Sequence, residues 1–600
     1  MTYWIGARRI VLLMSVLLLL EACALLPNSA AKKIAALEAA QAPRIGLELN
    51  GVDDALAENV RAHLSISSKP CTVSRAYLRA LGERATEETE KALQAFGYYA
   101  PEIQVAIEEI GVCPIAKINI TPGEPVLLGR VDIGIRGPGE SDPVFLEQLK
   151  VSGLNVGEPL NHGNYTAAKQ LIESVALERG YLEGIFIKRQ LDVDPSRRIA
   201  NIVLTFDSGP RYSLGEILIN QEPDFLDESL VRRFLEYSTG EPYLAASIGG
   251  FHRALSKGSY FNRVEVRPRL SSPRSETIPI DITLTPRDRH SVTSGVGAST
   301  DEGIRGRFGY QNRRLNHYGH QLDVSANASF IEQKFSTSYR IPRDHPVDEW
   351  LSLQAGIRRR DVDTFTTIES QFIVSETKRR PRGWMETRFI EFNREDYDVS
   401  ATEDVSSFLA PGISWRRTVT NNALFPTRGY DVNFELKAAA EPALSDTSFA
   451  RGLLSLASVY GLPINSRALV RGHFGALWVD DFKVLPPSER FFAGGDSSIR
   501  GYDIDSRGPV DASGDVIGGT YLGVVSVELE HYFTDAWGIA TFVDSGNAFG
   551  GDGSSTGFQT GVGVGVRWRS PVGPVRLDIA HPLDDDNNDF RLHIRIGPDL

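Results

Sequence analysis

From about His290 to the end of the chain, apolar and polar residues alternate with a period of two. Phe590, Leu592, Ile594 and Ile596 alternate with Asp589, Arg591, His593 and Arg595, so one face of this last segment is apolar and the other charged. Val562, Val564, Val566 and Trp568 alternate in the same way with Gly561, Gly563, Gly565, Arg567 and Arg569. About sixteen such segments of roughly ten residues follow one another, the length a tilted strand needs to cross a bilayer. They begin near Ser291, Ile304, His320, Gln333, Trp350, Thr367, Met385, Phe408, Gly429, Ser448, Arg467, Tyr521, Trp537, Phe558, Pro574 and Asp589. In a soluble sandwich the charges would face outside water. An even number of bilayer-length strands predicts instead a 16-stranded antiparallel transmembrane β-barrel over 289–600, apolar toward lipid and charged toward a wet lumen.

The first half carries a different, slower pattern. Ala95-Phe96-Gly97-Tyr98-Tyr99, Glu178-Arg179-Gly180-Tyr181-Leu182 and Ser256-Lys257-Gly258-Ser259-Tyr260-Phe261 recur at about eighty residues, a period of tandem domains more than of a solenoid. Each closes a helical stretch, where glycine is a natural stop, and leads into a strand. The turns Gly123-Glu124-Pro125, Gly157-Glu158-Pro159-Leu160 and Gly240-Glu241-Pro242-Tyr243 repeat alongside them. The second and third copies read strand, helix, helix, strand, strand. This order, with its Gly-Tyr marks, resembles the polypeptide-transport-associated domain and predicts three α+β repeats over 45–123, 126–209 and 211–288. Such domains take an incoming chain as an added edge strand; rigid spacing is the other reading.

The N-terminus changes the compartment. Arg8-Arg9, an apolar run from Ile10 to Leu20 and small residues at Ala22, Cys23 and Ala24 describe a secretory signal within 1–30, too short to span a membrane. Leu20-Glu21-Ala22-Cys23 resembles a lipoprotein box, so lipidation of Cys23 and simple cleavage after Ala24 or later both stand. Cys71 and Cys113 then sit in an oxidising compartment, where pairing is the simplest outcome and two separate buried thiols the other. With 42% hydrophobic residues and a net charge of -13, the chain is a folded protein with no electrostatic case for nucleic acid.

No catalytic set emerges. His290, His317, His320 and His531 lack the spacing and glutamates of a metal site, no Gly-x-Ser-x-Gly elbow is present, and neither enzyme activity, metal nor cofactor is expected. The informative stretch is Phe491-Phe492-Ala493-Gly494-Gly495-Asp496-Ser497-Ser498-Ile499-Arg500-Gly501-Tyr502, inside a connection of roughly forty residues. Paired glycines and a lone guanidinium suggest a tight tip that places Arg500 among carboxylates. By strand parity Glu528 shares a face with Ser526, and Asp544 with Phe542, so both acids point inward on neighbouring strands. They are partners for an inward-folded Arg500, unless all three are solvated lumen residues. Gly561, Gly563 and Gly565 make room inside the lumen.

Ser498-Ile499-Arg500-Gly501-Tyr502, Phe542-Val543-Asp544-Ser545-Gly546, Phe425-Pro426-Thr427-Arg428-Gly429-Tyr430 and the amphipathic last strand resemble the barrel-assembly and two-partner-secretion superfamily of outer membranes. The three repeats, Phe491 to Asp496, Ser570-Pro571-Val572-Gly573-Pro574-Val575 and the Gly597-Pro598-Asp599-Leu600 end resemble its translocation-and-assembly-module branch. The resemblance implies a Gram-negative outer-membrane protein with periplasmic repeats that assists assembly of other barrels, notably autotransporters. It implies a loop brace of Arg500, Gly501, Tyr502, Glu528 and Asp544, and an inner-membrane partner, TamB, met through the first repeat. It also implies a weak lateral seam between the first strand and the last, at Phe590, Leu592, Ile594, Gly597 and Pro598. Pro598 donates no ladder hydrogen bond, consistent with an end that is not fully zipped. A two-partner-secretion pore and a phospholipid conduit are the alternatives. Porins have no reason for periplasmic repeats.

Overall fold

The computed structural model describes residues 43–110, 113–150, 153–270, 276–299, 301–400, 402–550, 557–570, 573–585 and 590–596. The leader with Cys23, and Gly597 and Pro598, lie outside the described residues. The chain divides into two compact units, one holding essentially the first two repeats and the other most of the third with the barrel.

Each repeat has the expected order. The first is β1 (Gly46–Asn50), α1 (Asp54–His63), α2 (Arg75–Gln94), β2 (Glu102–Ile110) and β3 (Cys113–Thr121). The second is β4 (Leu127–Arg136), α3 (Pro143–Lys150), α4 (His162–Glu178), β5 (Ile185–Asp194) and β6 (Ile199–Asp207). The third is β7 (Ser213–Gln221), α5 (Glu228–Arg232), α6 (Ala245–Lys257), β8 (Phe261–Pro268) and β9 (Thr277–Pro286). In every copy the last strand lies in the middle of a three-stranded sheet: β1-β3-β2, β4-β6-β5 and β7-β9-β8. Central placement explains why the last strands alternate most cleanly; Ile118 and Ile120 of β3 are buried against Leu56, Val60, Leu81 and Leu93 of the helices. Each such side chain contributes roughly 1.5–3 kcal/mol. Short polar residues start the helices: Asp53 accepts from Leu56 N–H, Ser74 from Tyr77 N–H and Asn161 from Gly163 N–H. Cys71 and Cys113 are joined by a disulfide in the first repeat.

The Gly-Tyr marks are joints. Val126 N–H donates to Gly97 O at 2.9 Å, Tyr212 N–H to Gly180 O at 2.9 Å, and Arg287 N–H to Tyr260 O at 2.8 Å. At each mark the end of a helix receives the residue that opens the next module. Gly97 and Gly180 take φ of +88° and +86°, the left-handed stop expected of them. Gly258 does not: a Cβ there would meet the Phe234 ring at 3.1 Å, so this glycine serves packing. Within the second unit, the Tyr260 hydroxyl donates to Gly319 O at 2.6 Å and Asp227 N–H to His317 O at 2.8 Å, which ties the third repeat to a turn of the barrel.

The barrel wall runs in sequence order through β10 (His290–Ser299), β11 (Gly303–Asn312), β12 (Gln321–Ala328), β13 (Glu332–Pro342), β14 (Trp350–Val362), β15 (Phe365–Arg380), β16 (Trp384–Val399) and β17 (Thr402–Thr420). It continues through β18 (Gly429–Ala439), β19 (Phe449–Leu462), β20 (Ser466–Val479), β21 (Tyr521–Tyr532), β22 (Trp537–Phe549), β23 (Gln559–Ser570), β24 (Gly573–Pro582) and β25 (Arg591–Ile596). All neighbours are antiparallel, and among the described residues no ladder joins β10 to β25. Val525, Val527, Leu529, Val564 and Leu592 face outward and are exposed, while Glu528, Asp544 and His593 face inward and are buried. Trp537 and Trp568 stack at one rim, 5.5 Å apart, as interfacial aromatics do. No described helix is long and apolar enough to cross a membrane.

Two boundaries differ from the sequence expectation. β17 starts at Thr402, ahead of Phe408, because β16 and β17 reach 16 and 19 residues and carry exposed Arg394, Asp396 and Asp398 beyond the apolar band. The last strand starts at Arg591, leaving Phe590 just before it, 73% exposed.

Candidate functional site

The connection between β20 and β21 spans residues 480–520 and folds back into the lumen. It is a twisted hairpin without regular ladders: Phe491 pairs with Gly519 and Ala493 with Arg507. Its tip requires glycine. Gly494, Gly495 and Gly501 have φ of +108°, +94° and +101°, and a Cβ on Gly494 would lie 2.2 Å from Asp503 O.

The tip delivers Arg500 to the inner face of β21–β24, where it is 3% exposed. Its Nε and Nη2 donate to the two oxygens of Asp544 at 2.7 and 3.0 Å. Its Nη1 donates to Glu528 at 2.9 Å and to Asp578 at 2.8 Å. The guanidinium lies 3.3 Å from the centre of the Phe542 ring. Strand parity had placed Glu528 and Asp544 on this face, and the structure brings both to Arg500. Tyr502 is buried and its hydroxyl donates to Thr560 O at 3.2 Å. Gly501 N–H donates to Nε2 of His593 at 3.0 Å.

Sequence reasoning passed over the second cation. Arg567 of β23 donates to Glu528 at 2.5 Å, Glu530 at 2.9 Å and Asp578 at 2.5 Å, and Glu530 also receives Arg467 at 2.6 Å. Parity would have found it: Arg567 shares the face of Gly561, Gly563 and Gly565. Those glycines do make room. A Cβ would fall 1.9 Å from Arg500 O at Gly561, 2.3 Å from Ile579 O at Gly563, and 1.8 Å from an Asp578 oxygen at Gly565. A separate buried group holds the other limb of the loop. Lys437 of β18 donates to Glu489 at 2.7 Å and to Glu391 of β16 at 3.3 Å.

The loop is thus tied to two separated stretches of wall, β16–β18 through Glu489 and β21–β24 through Arg500. Leu592 and Ile594 lie on β25, whose ladder with β24 runs from Ala580↔Arg591 to Val575↔Ile596. Among the described residues, the seam side of β25 has no such ladder.

A sixteen-stranded antiparallel wall with an apolar exterior, a charged interior and modules of small mixed sheets ahead of it defines an outer-membrane β-barrel protein. The chain belongs to the Omp85 superfamily: the Omp85 superfamily domain matches residues 288–599. The POTRA domain described as TamA domain 1 matches residues 46–122. The outer membrane protein assembly factor BamA of Nitratidesulfovibrio vulgaris is 26% identical over 383 residues, 60% of this chain and 47% of that protein. BamA of Neisseria meningitidis serogroup B is 22% identical over 543 residues, 78% of this chain and 66% of that protein. The chain therefore spans between about half and two thirds of the length of these relatives. BamA from Haemophilus ducreyi lacking POTRA domains 1–3 superposes with a TM-score of 0.65 at 16% identity, over 79% of this chain and 99% of that one, which shows a shared fold. The protein resides in the outer membrane of a Gram-negative bacterium, with the modules before the barrel in the periplasm.

Proposed function

We propose that the protein is an assembly factor for outer-membrane β-barrels of the TamA type, the outer-membrane subunit of the translocation and assembly module. In this reading all three repeats are polypeptide-transport-associated domains, and the first meets the inner-membrane partner TamB. Clients are autotransporters and other barrel proteins. The seam between β10 and β25 parts and lends its strand edges to a client's strands, while the Arg500 loop braces the interior.

The observation that carries the proposal is the seam. β10 and β25 share no ladder among the described residues. Unpaired N–H and C=O groups along a strand edge are a template for another chain. The TamA-type match at residues 46–122 supports the particular branch. The alternative of a two-partner-secretion pore requires a passage through the lumen, which the loop crosses from β16–β18 to β21–β24.

A cysteine pair joining β10 to β25 tests this. Oxidative locking should abolish assembly of an autotransporter, and reduction should restore it. Assembly that continues at the unlocked rate in the crosslinked protein would overturn lateral opening.

A further inference from the structure

Beyond Arg500, the loop makes a second set of contacts, on the seam itself. Asp301 lies in the turn between β10 and β11, Asp496 on the loop tip and His593 on β25. The chain positions are far apart, yet the three side chains offer polar atoms within 4.8 Å of one another. Asp496 N–H donates to Asp301 at 2.7 Å, the Asp496 carboxylate meets Nδ1 of His593, and Gly501 N–H donates to Nε2 at 3.0 Å. Beside them Arg591 of β25 pairs with Asp503 of the loop. Gly495 is fitted to this spot, since a Cβ on it would stand 2.8 Å from an Asp301 oxygen.

Two carboxylates and an imidazole at this spacing also resemble a metal centre, and the hydrogen bonds decide against it. A backbone N–H can only donate, so Nε2 of His593 must supply its lone pair to Gly501. In the neutral ring the proton then sits on Nδ1, facing Asp496. The nitrogen that would bind an ion between the carboxylates has no lone pair to give. The cluster is a chain of hydrogen bonds from the first hairpin, through the loop, to the last strand.

We propose that Asp301, Asp496 and His593 form a clasp that closes the seam at its extracellular end, with His593 as a positioning residue that ties the last strand to the loop. The inference rests on the seam reading of function and adds which end is held. The turn holding Asp301 joins the top of β10, and His593 lies in the upper part of β25. The bridge is therefore at the extracellular end, and the seam parts first at the periplasmic end. Complete opening requires the loop tip to release His593 and Arg591.

Pulsed spin-label distance measurement on the full chain in lipid, with no client present, tests this directly. It uses a Cys23→Ser background. One pair, Ser299→Cys with Phe590→Cys, reads the extracellular end; a second, His290→Cys with Ile596→Cys, reads the periplasmic end. With the native clasp the first pair should give one narrow distance and the second a broad distribution. His593→Leu or Asp496→Ala should broaden the first pair toward the second, and Gly495→Ala should do so with all three clasp side chains retained. An unchanged narrow distance in these variants, in protein whose barrel runs folded on unheated gels, would overturn the clasp. Addition of a chelator should leave the first pair unmoved; a chelator-dependent broadening would overturn the hydrogen-bonded form in favour of a bound cation. Because no client is involved, the outcome is separate from whether the protein assembles barrels. A failed clasp with intact lock-sensitive assembly would leave the proposed function standing, and the converse would remove it.

Discussion

The two halves of the barrel interior are built from the same alternating strands and yet differ in kind. Along β10–β14 many of the inward residues are small or polar and reach open space: Thr293, Gly295, Arg305, Arg307, Lys334 and Gln354 are all exposed. Along β16–β24 the inward residues are as polar or more so, but Glu391, Lys437, Arg467, Glu528, Glu530, Asp544, Arg567 and Asp578 are buried. The loop makes the difference. Where it covers the wall, charges lose water and survive only as closed networks; where it does not, they remain hydrated. Charge placed on a strand therefore says little about its environment until the covering segment is known.

The largest effect should come from opening the dry network. Arg500→Ala leaves Asp544, Glu528 and Asp578 with one guanidinium fewer in a buried site. Breaking a buried pair in this way costs about 3–5 kcal/mol. We expect the loop to become cleavable by added protease, the barrel to unfold at lower temperature on unheated gels, and client assembly to fall. Loop protection and melting at the wild-type level would mean that the network does not hold the loop.

A buried carboxylate outside the membrane extends the comparison. Asp142 in the second repeat is 4% exposed. Burial alone would raise its pKa, but Arg179 Nε at 2.5 Å, the Val144 N–H and the Tyr181 hydroxyl hold it below the ordinary carboxylate value. The sign follows: a carboxyl whose folded pKa is depressed stabilises the fold at neutral pH, and this contribution disappears as the pH falls through and below the carboxylate range. The protection factors of the β4–β6 amides, taken relative to intrinsic exchange at each pH, should fall on acidification in the wild type and fall less steeply in Asp142→Asn. Equal slopes would remove Asp142 as the cause.

The smallest effect belongs to the wet wall. Lys334→Ala removes a charge that water already solvates, and it should change barrel stability by less than about 0.5 kcal/mol. A loss comparable to that of Arg500→Ala would show that this wall is also dry, and the contrast between the halves would fail.

How much of this was legible along the chain can be judged from particular residues. Glu528 and Asp544 were placed inward by parity alone, because a strand's side chains alternate whatever it packs against. The Gly-Tyr marks revealed three modules, though their role as joints required seeing that Gly97 O and Gly180 O accept from the next module. Asp578 and Arg567 carry the same parity signal and were missed for want of a reason to select them among many inward charges.

Local pattern determined what depends on neighbours in sequence: sixteen alternating strands, three repeated modules, a loop tip built on Gly494, Gly495 and Gly501, and an inward face for each acid. Only the tertiary structure decided where that tip goes. Asp301 meets Asp496 across 195 positions and His593 meets Asp496 across 97, and no periodicity reports such distances. Backbone periodicity is a property of short segments, whereas the pairing of buried charges depends on which segments exclude water together.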